Sequence, residues 1–249
     1  QPMGGRRVDQ GWMPIRWPCE LCGAPAGASG ICLPCRADLP WLGSACPGCG
    51  RPLAGPGHCA RCLAEPRPWS RVIVPLAWRF PVDVLIGRFK YGGALHYGAL
   101  LGRLLGECCG DRPGRSPEGL VPVPLHPARR AGRGFNQAHE LAREVARATG
   151  VAVLADACRR EVDARPQVGL AASARYRNLA GAFVAGDGVA GLRLAVVDDV
   201  LTTGSTAAAV TLALLQAGAA EVQVWAVARG GTARAGAATA GPAQAGWKV

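Results

Sequence analysis

The stretch Ala195-Val196-Val197-Asp198-Asp199-Val200-Leu201-Thr202-Thr203-Gly204-Ser205-Thr206 passes from an apolar run through two adjacent acids into hydroxyls grouped around one glycine. Residues 192–197 read as a buried strand, and residues 207–216 as a helix closed by Gly218. A strand that feeds a polar loop and then a helix delivers that loop to the carboxyl edge of a sheet, where open α/β folds bind their ligands. Gly204 allows the backbone to approach an anion closely, and the helix start offers free N–H groups. Thr202, Thr203, Ser205 and Thr206 donate further hydrogen bonds without adding charge. The loop therefore reads as a phosphate cradle, the alternative being hydroxyls that only cap the helix and acids that face solvent. Asp198 and Asp199 would repel a bare phosphate, so they are expected to meet sugar hydroxyls or a divalent cation, and a phosphorylated ribose offers both. No glycine-lysine loop of the Walker type and no Gly-x-Gly-x-x-Gly after a strand occurs, which argues against triphosphate hydrolysis and a dinucleotide site.

Outward from this stretch the chain alternates strand and helix. Residues 72–80 and 222–228 read as strands, 82–90 as a helix, and 95–109 as a helix with Leu100, Leu101, Leu104 and Leu105 at helical spacing. Residues 120–125 form a short strand interrupted by Pro122 and Pro124. From Asn136 the positions Leu141, Ala142, Val145 and Ala146 make an amphipathic helix that stops at Gly150, with a strand over 151–157. That order predicts an open parallel sheet flanked by helices over residues 70–230. His126, Arg129, Arg130 and Arg133 follow the strand at 120–125, and their guanidinium forks suit a pyrophosphate, although a solvated basic loop has the same composition. Lys90 is either a further phosphate ligand or a lysine snorkelling from a helix end. Residues 231–249 are mostly Ala, Gly and Thr without an apolar period, and are expected to be a flexible tail.

Eight of the eleven cysteines stand in Cys-x-x-Cys pairs: Cys19/Cys22, Cys32/Cys35, Cys46/Cys49 and Cys59/Cys62. The second four repeat the first at an offset of 27 residues, so one four-cysteine unit occurs twice. Each pair on a tight turn aims two thiolates at a tetrahedral ion, and the next pair completes the sphere. Two structural zinc ions are expected, with sequential sets preferred over interleaved ones. Disulfides or redox-active pairs are the alternatives, disfavoured by the absence of a recognisable secretory signal and by the fourfold repetition. Residues 19–64 hold too little apolar sequence for a core of their own, so metal is expected to replace one after an extension over 1–18.

The 249 residues carry a formal charge of +11, from 28 Lys and Arg against 17 Asp and Glu. Eight zinc-bound thiolates lower that to about +7, which still favours anionic partners. No apolar run is long enough for a membrane span, and the first 18 residues are polar and arginine-containing, from which a cytoplasmic protein is expected. Trp12, Trp17, Trp41, Trp69 and Trp78 cluster near the cysteines and serve either base stacking or core packing.

Taken together, the Cys-x-x-Cys set, Val121-Pro122-Val123-Pro124-Leu125, Arg133-Gly134-Phe135-Asn136-Gln137, Arg175 with Asn178, and the stretch from Val197 to Thr206 closely resemble the ComF family across residues 19–229. That family is associated with natural competence and is described as joining a zinc ribbon to a type I phosphoribosyltransferase domain. The resemblance implies that Asp198 and Asp199 hold the ribose diol of phosphoribosyl pyrophosphate, that Thr202, Thr203, Gly204, Ser205 and Thr206 hold its 5-phosphate, and that residues 160–183, with Arg165, Gln167, Arg175 and Asn178, form a cover. Ala164 stands where the family often has threonine. The implied activity is Mg²⁺-dependent phosphoribosyl transfer to a nitrogen acceptor. The alternative is a non-catalytic factor that binds single-stranded DNA, or an adaptor for competence-machinery proteins that uses the pocket as a nucleotide sensor.

Overall fold

The computed structural model describes residues 17–110, 116–125, 134–161 and 181–231. It divides into two compact units, Gln1–Asp38 and Leu39–Val249. The smaller unit contains the first cysteine set and the short helix α1 (Leu33–Ala37). The larger unit begins with the second set and helix α2 (Ala60–Ala64), and continues into the sheet.

The sheet is parallel throughout. β1 (Val72–Ile73) and β2 (Leu76–Ala77) both pair with β8 (Glu221–Arg229). Beyond β8 lie β7 (Arg193–Leu201), β3 (Gly119–Pro122) and β4 (Ala152–Val153). Leu194, Ala195, Val196 and Val197 are all fully buried, as a strand covered on both faces requires. Helix α6 (Ser205–Gln216) packs on the face that carries Leu194, Val196, Val222, Val224 and Ala226. Helices α3 (Val82–Tyr91), α4 (Leu95–Gly110) and α5 (Gln137–Thr149) form a second packed group, in which α5 lies against β3 and β7 and α4 against β8. A Cβ on Gly102 would come within 2.6 Å of Glu144 Cβ, and one on Gly106 within 2.6 Å of Ala148 Cβ, so glycine on α4 is what lets α5 lie this close. This is the open parallel α/β architecture read from the strand and helix order.

Several boundaries differ from the sequence reading, each for a local reason. The strand expected over 72–80 breaks into β1 and β2 at Pro75, which has no N–H to donate, while the Pro75 carbonyl accepts from Leu42 N at 2.7 Å. The strand expected over 151–157 shortens to Ala152–Val153 at the sheet edge. β7 does not end before the acids: its ladder with β8 continues through Val200↔Ala228 and Leu201↔Arg229, so Asp198 and Asp199 are strand residues. An antiparallel pair, β5 (Cys158–Arg160) and β6 (Phe183–Ala185), was not expected and flanks residues 162–180. Its three-residue strands are too short to show a period of two.

Candidate sugar-phosphate site and zinc centres

Because β7 is paired as far as Leu201, alternation sends Asp198 and Asp199 to opposite faces of the sheet's carboxyl edge. Asp199 meets the last turn of α3, where Lys90 Nζ lies 2.8 Å from its Oδ1 and 5.7 Å from the centre of the Trp78 ring. Lys90 thus ties helix α3 to the acidic pair. Asp198 Oδ1 accepts a hydrogen bond from the Asp199 N–H at 2.8 Å. The Asp198 carboxyl is nonetheless pushed up to about 7, first by burial and then by the charge of Asp199, against the pull of the Asp199 N–H and Lys90.

The hydroxyl loop follows directly. Gly204 has φ +80° and caps α6, a backbone conformation that glycine adopts without strain. Thr203 Oγ1 and Ser205 Oγ lie 2.8 Å apart, and Ser205 N donates to Thr203 Oγ1 at 3.3 Å. Thr202 and Thr203 are exposed while Ser205 and Thr206 are half-buried, so the hydroxyls line a surface that a ligand can reach. The structure thus brings Asp198, Asp199, Thr202, Thr203, Gly204, Ser205 and Thr206 to one edge, with the N–H groups opening α6 beside them.

Two residues that the sequence reading did not assign to the site hold this loop from behind. Arg229, at the end of β8 and only 8% exposed, donates from Nε to Cys49 O at 2.7 Å and from Nη1 to Leu201 O at 2.8 Å and Thr202 O at 2.6 Å, and also meets Gly230 O. Trp69, 5% exposed, donates from Nε1 to Gly48 O at 2.8 Å. Its ring lies against the loop, for a Cβ on Gly204 would stand 3.0 Å from Trp69 Cη2. The signal for Arg229 was a cation that closes an apolar strand, one residue past the strand as read. Trp41 and Trp69 are core residues, whereas Trp17 and Trp78 reach solvent.

The cysteines assemble as two sequential sets, Cys19, Cys22, Cys32, Cys35 and Cys46, Cys49, Cys59, Cys62, and within each set the four Sγ atoms lie within 4.8 Å of one another. Four thiols in that space fit one tetrahedral Zn²⁺: ligands about 2.3 Å from the ion stand roughly 3.8 Å apart, and Cys22–Cys32 and Cys49–Cys59 are 3.6 and 3.7 Å apart. The local structure also repeats. Each first pair sits in a turn closed by a β-bridge, Pro18↔Pro25 or Ala45↔Pro52, and each second pair opens a five-residue helix. The second set is bound into the sheet unit, where Val72 N donates to Pro47 O at 2.7 Å and the Gly50 Cα faces Val74 too closely for any side chain.

His126, Arg129, Arg130 and Arg133 lie outside the described residues, as do Trp12, Ala164, Arg165, Gln167, Arg175, Asn178 and the segment 232–249. The described end of the basic loop is anchored by Asn136, whose Oδ1 accepts from Ala138 N at 3.0 Å while its Nδ2 donates to Val123 O at 3.1 Å. This ties the start of α5 to the strand edge beyond β3.

With two four-cysteine zinc sites preceding an open parallel sheet that carries acids and a hydroxyl loop at its carboxyl edge, the chain falls in the class of zinc-ribbon α/β proteins. Residues 13–63 match the double zinc ribbon domain. The chain belongs to the ComF family. It is 38% identical over 218 residues to the DNA utilization protein YhgH of Salmonella typhimurium, covering 85% of this chain and 96% of that protein. It is 32% identical over 212 residues to the Competence protein F of Haemophilus influenzae, covering 81% and 91%. Among solved structures, the glutamine phosphoribosylpyrophosphate amidotransferase of B. subtilis matches at 21% identity and TM-score 0.36, over 51% of this chain and 26% of that one. A purine phosphoribosyltransferase from Pyrococcus horikoshii matches at 15% and 0.31, over 64% and 77%. Among the described residues no helix is long and apolar enough to cross a membrane.

Proposed function

We propose that this protein binds Mg²⁺-complexed phosphoribosyl pyrophosphate at the carboxyl edge of β7 and transfers its phosphoribosyl group to a nitrogen acceptor, in a cytoplasmic role linked to DNA uptake or utilisation. The observation that carries this reading is the continuity of acids and anion cradle. Asp198 and Asp199 lie in the last four residues of a mostly buried strand, and the φ +80° glycine that caps α6 follows Asp199 by five residues. The hydroxyls and N–H groups of residues 202–206 take the 5-phosphate, and the acids accept hydrogen bonds from the ribose hydroxyls. Lys90 occupies one oxygen of Asp199; in this reading the acids hold sugar, and Mg²⁺ arrives as the counter-ion of the pyrophosphate. Arg129, Arg130 and Arg133 are the donors for that pyrophosphate as it leaves. Catalysis of this kind is positional and electrostatic, since positive charge develops on the ribose ring beside two carboxylates.

Calorimetric titration of the zinc-loaded chain with phosphoribosyl pyrophosphate and Mg²⁺ tests the reading, with the Asp198→Asn/Asp199→Asn variant in parallel. Saturable binding that is lost in the variant, at unchanged zinc content, is the expected result. Equal affinity in both proteins removes the assignment.

A second reading has its own support. The names of the relatives, DNA utilization protein and Competence protein F, together with the charge of +11, favour a chain that handles single-stranded DNA or docks with competence-machinery proteins and uses the pocket as a sensor. Its signature is an oligonucleotide affinity that falls steeply with salt; absence of binding at low salt eliminates it.

A further inference from the structure

The two zinc centres are alike in sequence and local fold, but the larger unit encloses only the second, and that one touches the back of the hydroxyl loop through two separate connections. Gly48 O accepts from Trp69 Nε1, and the ring of Trp69 lies under Gly204. Cys49 O accepts from Arg229 Nε, and the same guanidinium holds Leu201 O and Thr202 O. Gly48 and Cys49 are neighbours in the knuckle turn, where Cys49 N and Gly50 N both donate to Cys46 O. The direction of their carbonyls is therefore set by the same turn that aims Cys46 and Cys49 at the metal.

We infer that metal at Cys46, Cys49, Cys59 and Cys62 holds residues 201–204 in their ligand-ready conformation, with Arg229 and Trp69 as the positioning residues between the two sites. The physical argument is one of buried partners. If the ion leaves, the thiolates take up protons and the bonds that gathered the four sulfurs are gone, so the knuckle opens and Cys49 O moves off Arg229 Nε. A guanidinium only 8% exposed cannot replace that acceptor with bulk water, so it shifts, and Leu201 O and Thr202 O shift with it. Gly204 has no side chain to resist, and the N–H groups at the start of α6 lose their common aim. Coupling of this kind is reciprocal, so a ligand on the loop must also strengthen retention of the second zinc. This inference rests on residues 202–206 being an anion loop, but its first test needs no ligand.

Amide hydrogen exchange is measured on the full chain for a peptide spanning residues 200–207, with zinc content followed by native mass spectrometry. In Cys59→Ser, exchange of that peptide is expected to rise at least tenfold more than in Cys32→Ser, whose set lies in the other compact unit. Chelator extraction of the unsubstituted chain is followed with and without phosphoribosyl pyrophosphate and Mg²⁺. The sugar phosphate is expected to slow the loss of one zinc of two, and that protection to disappear in Arg229→Met and return in part in Arg229→Lys, while both variants begin with two zinc ions. Equal loop exchange in the two cysteine variants, or full protection of zinc in Arg229→Met, overturns the coupling. If phosphoribosyl pyrophosphate binds no form of the chain while loop exchange still follows the second zinc, the ligand assignment fails and the coupling stands. Should Cys59→Ser not fold, the chelator experiment on the unsubstituted chain and the two Arg229 variants decide alone.

Discussion

Lys90 Nζ stands 2.8 Å from Asp199 Oδ1, joining the last turn of a helix to the last residues of the central strand. Both side chains are mostly buried, at 19% and 13% exposure, so this pair is shielded from the screening that makes surface ion pairs nearly neutral. Removing one partner leaves the other charge enclosed. Lys90→Met is expected to cost about 2 kcal/mol of stability, and Lys90→Met/Asp199→Asn less than the sum of the single changes. Urea unfolding of the four proteins reads this directly, and additive costs would show that the two groups act independently.

The raised Asp198 carboxyl gives stability a defined pH dependence. It titrates at about 7 in the folded chain and at roughly 3.9 when unfolded, so between those values the folded state holds the extra proton. Stability therefore falls as pH rises toward 7 and stays lower above it. Asp198→Asn is expected to raise Tm at pH 8 and to flatten the decline that runs from about pH 4 to about pH 7 and levels off by pH 8. The same ionisation makes the carboxylate a better acceptor for sugar hydroxyls, so affinity for phosphoribosyl pyrophosphate should increase between about pH 6 and 8 in the unsubstituted chain. A pH-independent Tm in both proteins would contradict the shift.

Gly204→Ala places a methyl group at φ +80° and 3.0 Å from the ring of buried Trp69. The left-handed backbone alone costs about 1 to 2 kcal/mol for a residue with a Cβ. Thermal unfolding should report that loss, and calorimetry a fall of at least tenfold in sugar-phosphate affinity with two zinc ions retained. Unaltered affinity would mean that the loop tolerates displacement and is not the phosphate seat.

X-ray absorption at the zinc edge should show four sulfur ligands at about 2.3 Å, with two zinc ions per chain. A nitrogen or oxygen ligand, or a single ion, would contradict the paired four-thiolate assignment. Removal of both ions is expected to unfold the first unit, whose described residues hold few large buried apolar side chains beyond Ile31.

Much of this protein is legible from residue order. The repeated Cys-x-x-Cys spacing predicts two tetrahedral sets, because both members of a pair lie on one tight turn and each unit supplies four ligands; it prefers sequential over interleaved pairing without settling it, and the structure assembles the sets sequentially. The runs at 192–197 and 222–228, apolar except for Arg193 and Gln223, predict the central strands, because a strand covered on both faces is apolar at nearly every position. The acids and hydroxyl loop could be read as neighbours at one sheet edge because strand, loop and helix follow one another without a break. The edge strand over 151–157 was legible but its extent was not, for only Ala152–Val153 pairs, and the pair Cys158–Arg160 with Phe183–Ala185 was missed, since strands of three residues carry no period.

Sequence by itself determined the metal chemistry, the alternation of strand and helix, and the composition of the loop at the end of the central strand, all of which depend on residues close together in the chain. Only the tertiary structure decided that Lys90 faces Asp199 across 109 positions, and that Arg229 reaches back 180 positions to Cys49. The spacing treats the two zinc units as equals, yet the second has the sheet for a neighbour and shares its carbonyls with the residues that brace the loop. The physical reason is that a buried cation or indole N–H takes whichever carbonyl the packing brings within 3 Å, and that choice is made by the assembled sheet and not by the local sequence.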